Sequence, residues 1–217
     1  MELNFKEYVT AFTNSQQHQE HGRFLSWNKC YEHFQKEEKE KNDSDYSALL
    51  LGFYLASWGM LRNSFLLDYT YTIHLKPIEI ILDEKYKRLF KIKLAEEEDI
   101  ELLFELVGKL KNYYEEAWKN SSKKGKTAHL DILVSKIILA TLGLTPAYDT
   151  YVKKTLAKLN ISQQFNENSY KQLLEFYKEN KKFIDGFSNT YNYPPMKIID
   201  IIFWEKGKDL YASEKKN

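Results

Sequence analysis

In "LGLTPAYDTYVKKTLAKL", residues 142–159, Asp149 is the single acid, and Lys153, Lys154 and Lys158 follow it at helical spacing. Two chemistries use a carboxylate in this setting. It can occupy the start of a helix, where the amide dipoles favour negative charge by about 0.3–1 kcal/mol. Alternatively, lysines and amide dipoles that keep it ionised equip it to stabilise a developing cation and to orient or deprotonate a water molecule.

A reaction on a nucleic acid would also need groups for phosphates and bases. Residues 119–160 carry eight lysines against two acids, a net +6, while residues 1–118 carry −6 and residues 161–217 carry +1. The whole chain is only +1, which argues against a general polyanion binder. A basic stripe confined to one segment is nevertheless what phosphate contacts require, although a solvated lysine face has the same composition. Aromatic residues make up 15% of the chain, with 16 tyrosines, enough for both core packing and stacking surfaces. In "GFYLASWGMLRNS", Tyr54 and Trp58 lie four apart and share a helix face. Arg62 and Asn63 end this apolar run, and polar groups there need partners if buried. Trp27 and Tyr31 form a second pair at the same spacing. For Trp58 taken singly, core packing is the simpler assignment.

Other chemistries lack their residues. No GxxxxGK[ST] or GxGxxG cradle occurs, and no GxSxG elbow. His18, His21, His33, His74 and His129 fall in no HExxH pattern and beside no cysteine pair, so no metal site and no cofactor are expected. The acidic run at 96–99 fits a helix start better than a cation site. Cys30 is the one cysteine and lies on the apolar side of its pattern, as a buried structural thiol does. It excludes an intrachain disulfide and fits a reducing compartment. No apolar run reaches the roughly 20 residues of a membrane span, and "MELNFKEYV" lacks the pattern of a signal peptide. A soluble, cytoplasmic, monomeric protein is expected.

The elements that must hold these groups read as helical throughout, because Gly (8) and Pro (4) are scarce and no run alternates at period two. Helices are expected from Asn4 to Gln19, after an N-cap at Ser26, through the apolar run Ala48–Trp58 (the expected buried centre), from Pro77, and over 94–120. "SSKKGK" is expected as a flexible basic linker. A helix from Thr127 to Leu142 should stop at Gly143, with Thr145 and Pro146 opening the next. Two more should follow in the last fifty residues, for about nine in all. The expected fold is one all-α domain over 1–217, in two packed helical lobes at about 1–120 and 121–217.

The stretch 135–161, an apolar helix, a glycine stop, a turn and a new helix, resembles the helix–hairpin–helix DNA glycosylase superfamily. That family carries "-V-D-T-H-V-x-R-" after the glycine; here the residues are Tyr148-Asp149-Thr150-Tyr151-Val152-Lys153-Lys154. The resemblance implies that Asp149 is the catalytic aspartate, that Val152 is an apolar anchor and that Lys154 is the basic position. It departs at the hairpin, where "GKTAHLDILVSK" stands in place of the family's "L-P-G-V-G", so the hairpin is degenerate or replaced. Ile132 stands near the place of the lysine used by bifunctional members, which implies a monofunctional enzyme without a lyase step. The implied activity is excision of a damaged or modified base from duplex DNA, in repair or in defence against phage, with the base flipped into a pocket. Tyr54, Trp58, Arg62, Asn63 and Tyr148 are the candidates for that pocket. Lys123, Lys124, Lys126, Lys136, Tyr151, Lys153 and Lys154 are the candidates for the DNA backbone. The alternative is a non-enzymatic helical module that binds nucleic acid or a protein.

Overall fold

The computed structural model describes residues 4–17, 22–36 and 43–215. The charged run at 37–42, and His18 and His21, lie outside the described residues. The described residues form an all-helical fold, and no strand occurs among them. Nine α-helices are described: α1 Phe5–Gln17, α2 Leu25–Phe34, α3 Ser44–Ser57, α4 Leu75–Ile81, α5 Glu98–Lys119, α6 Leu130–Thr141, α7 Thr150–Lys158, α8 Glu167–Tyr191 and α9 Pro195–Glu214. Short 3-10 turns at Phe65–Asp68, Tyr71–His74 and Glu84–Phe90 fill the connections around α4.

Two compact units share this chain. One comprises Met1–His21 with Gly143–Asn217, the other Gly22–Leu142. The division falls at Gly143 rather than near residue 120, and α1 belongs with the C-terminal helices.

In the unit of Gly22–Leu142, α6 is the buried helix, with every residue from Leu133 to Thr141 buried. Around it pack α2, α3 and α5, and α4 bridges α3 and α5. Trp27 seals one side: it is 1% exposed and its Nε1 donates to the Leu139 carbonyl at 3.1 Å. The run expected as the buried centre, α3, is apolar all round but leaves Tyr46, Leu49 and Phe53 in solvent. Ser26 lies inside α2, with its hydroxyl bonded to the Arg23 carbonyl, rather than capping it. "SSKKGK" forms a run of turns, secured where Ser122 donates from backbone and hydroxyl to Asp68 at 2.5 and 3.0 Å. These bonds hold the Asp68 carboxyl below its ordinary range.

In the other unit, α9 is the buried helix, with α1, α7 and α8 packed on it. Residues from Pro195 to Trp204 and Gly207 are buried, and within that stretch only Lys197 and Asp200 interrupt the apolar residues Met196, Ile198, Ile199, Ile201, Ile202 and Phe203. Pro194 and Pro195 start it, as proline does where no amide donor is needed. The α7–α9 crossing is very close. A Cβ added to Gly207 would lie 2.0 Å from the Tyr151 carbonyl oxygen, so only glycine fits there.

Candidate functional site

The segment that presents Asp149 starts where α6 stops. Leu142 ends that helix and Gly143 turns out of it at φ 69°, the left-handed conformation that glycine adopts most readily. Residues 143–148 are then buried and non-helical. Thr145 and Pro146 do not open a helix, contrary to the sequence expectation. The next helix begins four residues later at Thr150, because Asp149 takes the capping position with extended backbone. Its Oδ1 accepts the backbone N–H of Tyr151 and of Val152, both at 3.1 Å. Capping of this kind satisfies two amides that have no intrahelical acceptor. Asp149 itself is half-buried, and Thr150 beside it is exposed.

The residues on either side of it pack against α8, α9 and the turn before α8. Tyr148 is fully buried: its hydroxyl hydrogen-bonds Ser169 at 2.7 Å and its ring lies 4.9 Å from that of Phe165. It is therefore a core residue, not a pocket wall, since its ring and hydroxyl are both engaged internally. Tyr151 sets its ring edge-on to Trp204 and Tyr211, at 5.8 and 5.7 Å. Lys154 forms an ion pair with Glu214 and lies over the Tyr211 ring at 5.4 Å, so its charge is already balanced. Lys153 and Lys158 on α7 take part in no ion pair among the described residues.

The other candidates belong to the second unit. Tyr54 is 2% exposed and is a core residue of α3 rather than a stacking surface. Trp58 closes α3 and is half-buried. Phe24 meets its ring edge-on at 5.5 Å, and the Arg23 guanidinium lies 5.2 Å from its centre. Lys136, expected to grip DNA, is 4% exposed and donates from Nζ to the Trp58 carbonyl at 2.9 Å. A buried ammonium held on a carbonyl is not available to phosphate, so Lys136 is a support for Trp58. Arg62 and Asn63 are exposed in the turn after α3, with Asn63 at φ 53°; they meet water rather than buried partners. Lys124 and Lys126 are exposed and Lys123 is half-buried, and the Lys123 carbonyl accepts from Trp118 Nε1 at 3.1 Å. Tyr31 is half-buried and stacks on Trp27 at 4.9 Å.

The segment read as one basic stripe is therefore divided. Lys123, Lys124 and Lys126 belong to one unit, Lys153 and Lys158 to the other, and Lys136, Lys154 and Lys119 are occupied internally, the last by Glu115 and Glu116. Sequence reasoning missed Arg23 and Phe24 around Trp58, and missed Lys197 and Asp200 on α9, a buried ion pair at 2.8 Å. The "K-I-I-D" spacing of that pair is visible in the chain, but helical i, i+3 pairs are usually exposed and carry no signal of burial. No helix among the described residues is long and apolar enough to cross a membrane. Comparison of the chain with protein-family models, with curated proteins and with solved structures finds no match in any of the three.

Proposed function

We propose that this protein is a monofunctional DNA N-glycosylase with Asp149 as its catalytic carboxylate. The observation that carries the reading is the setting of that side chain. It is fixed at the positive end of α7 by two amide hydrogen bonds, and it is only half-buried. Amide donors and a helix N-terminus both favour the ionised form. In the reaction, the bond between sugar C1′ and the base nitrogen breaks and its electron pair leaves with the base. The sugar passes through an oxocarbenium-like state, as in other glycoside cleavages. The carboxylate stabilises that cation and orients a water, whose oxygen bonds to C1′ while its proton is passed on to the departing base. No metal or cofactor enters this scheme.

The other roles narrow to residues that reach solvent. Of the candidates for a base, Trp58, Arg62 and Asn63 reach solvent within the unit of Gly22–Leu142. Lys123, Lys124, Lys126 and Lys153 remain for phosphates. The substrate class is a damaged base or a modified phage base. The test is to incubate the protein with damaged, genomic and phage-modified duplexes and to count abasic sites. Base release from one class supports the reading, and none from any class removes it.

A second reading, a helical interaction module, is favoured by a different observation. Tyr46, Leu49 and Phe53 on α3 are 50%, 47% and 61% exposed and share one face at i, i+3, i+7 spacing. A contiguous apolar stripe of this kind marks contact surfaces. Under that reading Asp149 only caps a helix, and no abasic sites form.

A further inference from the structure

We infer that Asp200, supported by Lys197, is the positioning residue for Asp149; the inference rests on the glycosylase reading above. Asp200 and Lys197 are 6% and 2% exposed on the buried helix α9. Two charges removed from water carry a desolvation cost that apolar side chains of the same size avoid. The bonds of the pair show what it does. Asp200 Oδ1 accepts the backbone N–H of Ala147 at 2.9 Å, and Oδ2 accepts from Lys197 Nζ at 2.8 Å. The Lys197 ammonium lies 5.3 Å from the centre of the Phe12 ring on α1, within cation–π range.

Ala147 is two residues before Asp149, in a buried segment where a backbone amide must find an acceptor. Asp200 supplies it from α9. Two further contacts fix the other side of the carboxylate to the same helix. Thr155 Oγ1 donates to the Phe203 carbonyl at 2.7 Å, and the Tyr151 backbone sits against Gly207. Helix α9 thus holds the chain just before Asp149 and just after it. The side chain between these anchors has its orientation set by the amides of Tyr151 and Val152. Without Asp200 the entry to α7 loses its anchor, and the carboxylate loses its fixed position relative to those amides.

The experiment uses the full-length protein and its Asp200→Ala, Asp200→Asn and Lys197→Met variants. Amide hydrogen exchange is followed at Ala147, Tyr151 and Val152, with the α8 amide of Leu173 as the internal reference. Base release is measured in parallel at saturating DNA. In Asp200→Ala, exchange at Ala147, Tyr151 and Val152 is expected to rise about tenfold or more over Leu173. The rate at saturating DNA should fall about tenfold or more while KM stays near wild type. Asp200→Asn keeps a carbonyl acceptor and should restore the protection. Unchanged protection at Tyr151 and Val152 in Asp200→Ala, or an unchanged saturating rate, would overturn the inference. If Asp200→Ala does not fold, Lys197→Met decides: a selective few-fold rise at the same three amides supports it, and a uniform or absent rise overturns it. Should the wild type release no base, the glycosylase reading fails, while the exchange comparison still decides whether Asp200 fixes the Asp149 segment.

Discussion

Replacing Asp149 by alanine and by asparagine separates the two uses of one carboxylate. Alanine removes the acceptor for Tyr151 and Val152 and should cost about 0.5–2 kcal/mol, whereas asparagine caps nearly as well and should cost a few tenths. Equal losses in chemical denaturation for both variants would show that the charge, not the capping geometry, stabilises the fold. His74 gives a pH dependence in the other unit. It is buried with Nδ1 hydrogen-bonded to Tyr114 at 2.7 Å, and burial lowers its pKa from 6.5 to about 4. The unfolded chain therefore binds a proton first as pH falls. Stability should be full above about pH 6.5, decline on the order of 3 kcal/mol towards pH 4, and level off below. Denaturation midpoints at pH 7 and pH 4.5 measure it, and a His74→Gln variant should show a flatter profile. Residue types alone were a mixed guide. The place of Asp149 near the start of a helix was legible, because it is the one acid between Gly143 and Leu159. Tyr148 and Tyr54 were not, because a buried tyrosine whose hydroxyl finds a partner and a tyrosine lining a pocket look identical in sequence.

Helix α9 is the element on which the proposed site depends. Gly207→Ala would place a methyl 2.0 Å from the Tyr151 carbonyl, and neither backbone can yield without moving α7. It should destabilise the protein by about 1–3 kcal/mol or more. A change below about 0.5 kcal/mol in urea denaturation, the range usual for surface substitutions, would mean that the crossing is looser than described. Most helices were legible: α5 from the acidic run at its start, and the end of α6 from the stop at Gly143. The start of α7 was misread because Thr-Pro is a common helix opening. Here that dipeptide is spent in a buried turn, and Asp149 caps instead. Helix α3 was expected as the buried centre from its apolar content. Apolar content does not say which faces find neighbours, and α6 and α9 take the central positions.

At the scale of the molecule, two units each wrap a buried helix, and the basic segment is divided between them. Sequence gave no cue to the grouping of α1 with α7, α8 and α9, since it follows from contacts distant along the chain. If the remaining lysines bind phosphate, each contact should contribute about 0.9 to the slope of log affinity against log salt. Changing Lys123, Lys124 and Lys126 together to glutamine should flatten that slope, and an unchanged slope would remove this turn from DNA binding. The decisive assay is the count of abasic sites in duplex DNA treated with the wild-type protein and with Asp149→Asn at equal concentration. The glycosylase reading predicts base release by the wild type and a loss of orders of magnitude in the variant, with fold and DNA affinity retained. Equal counts from the two proteins, or no abasic sites from either, would contradict it.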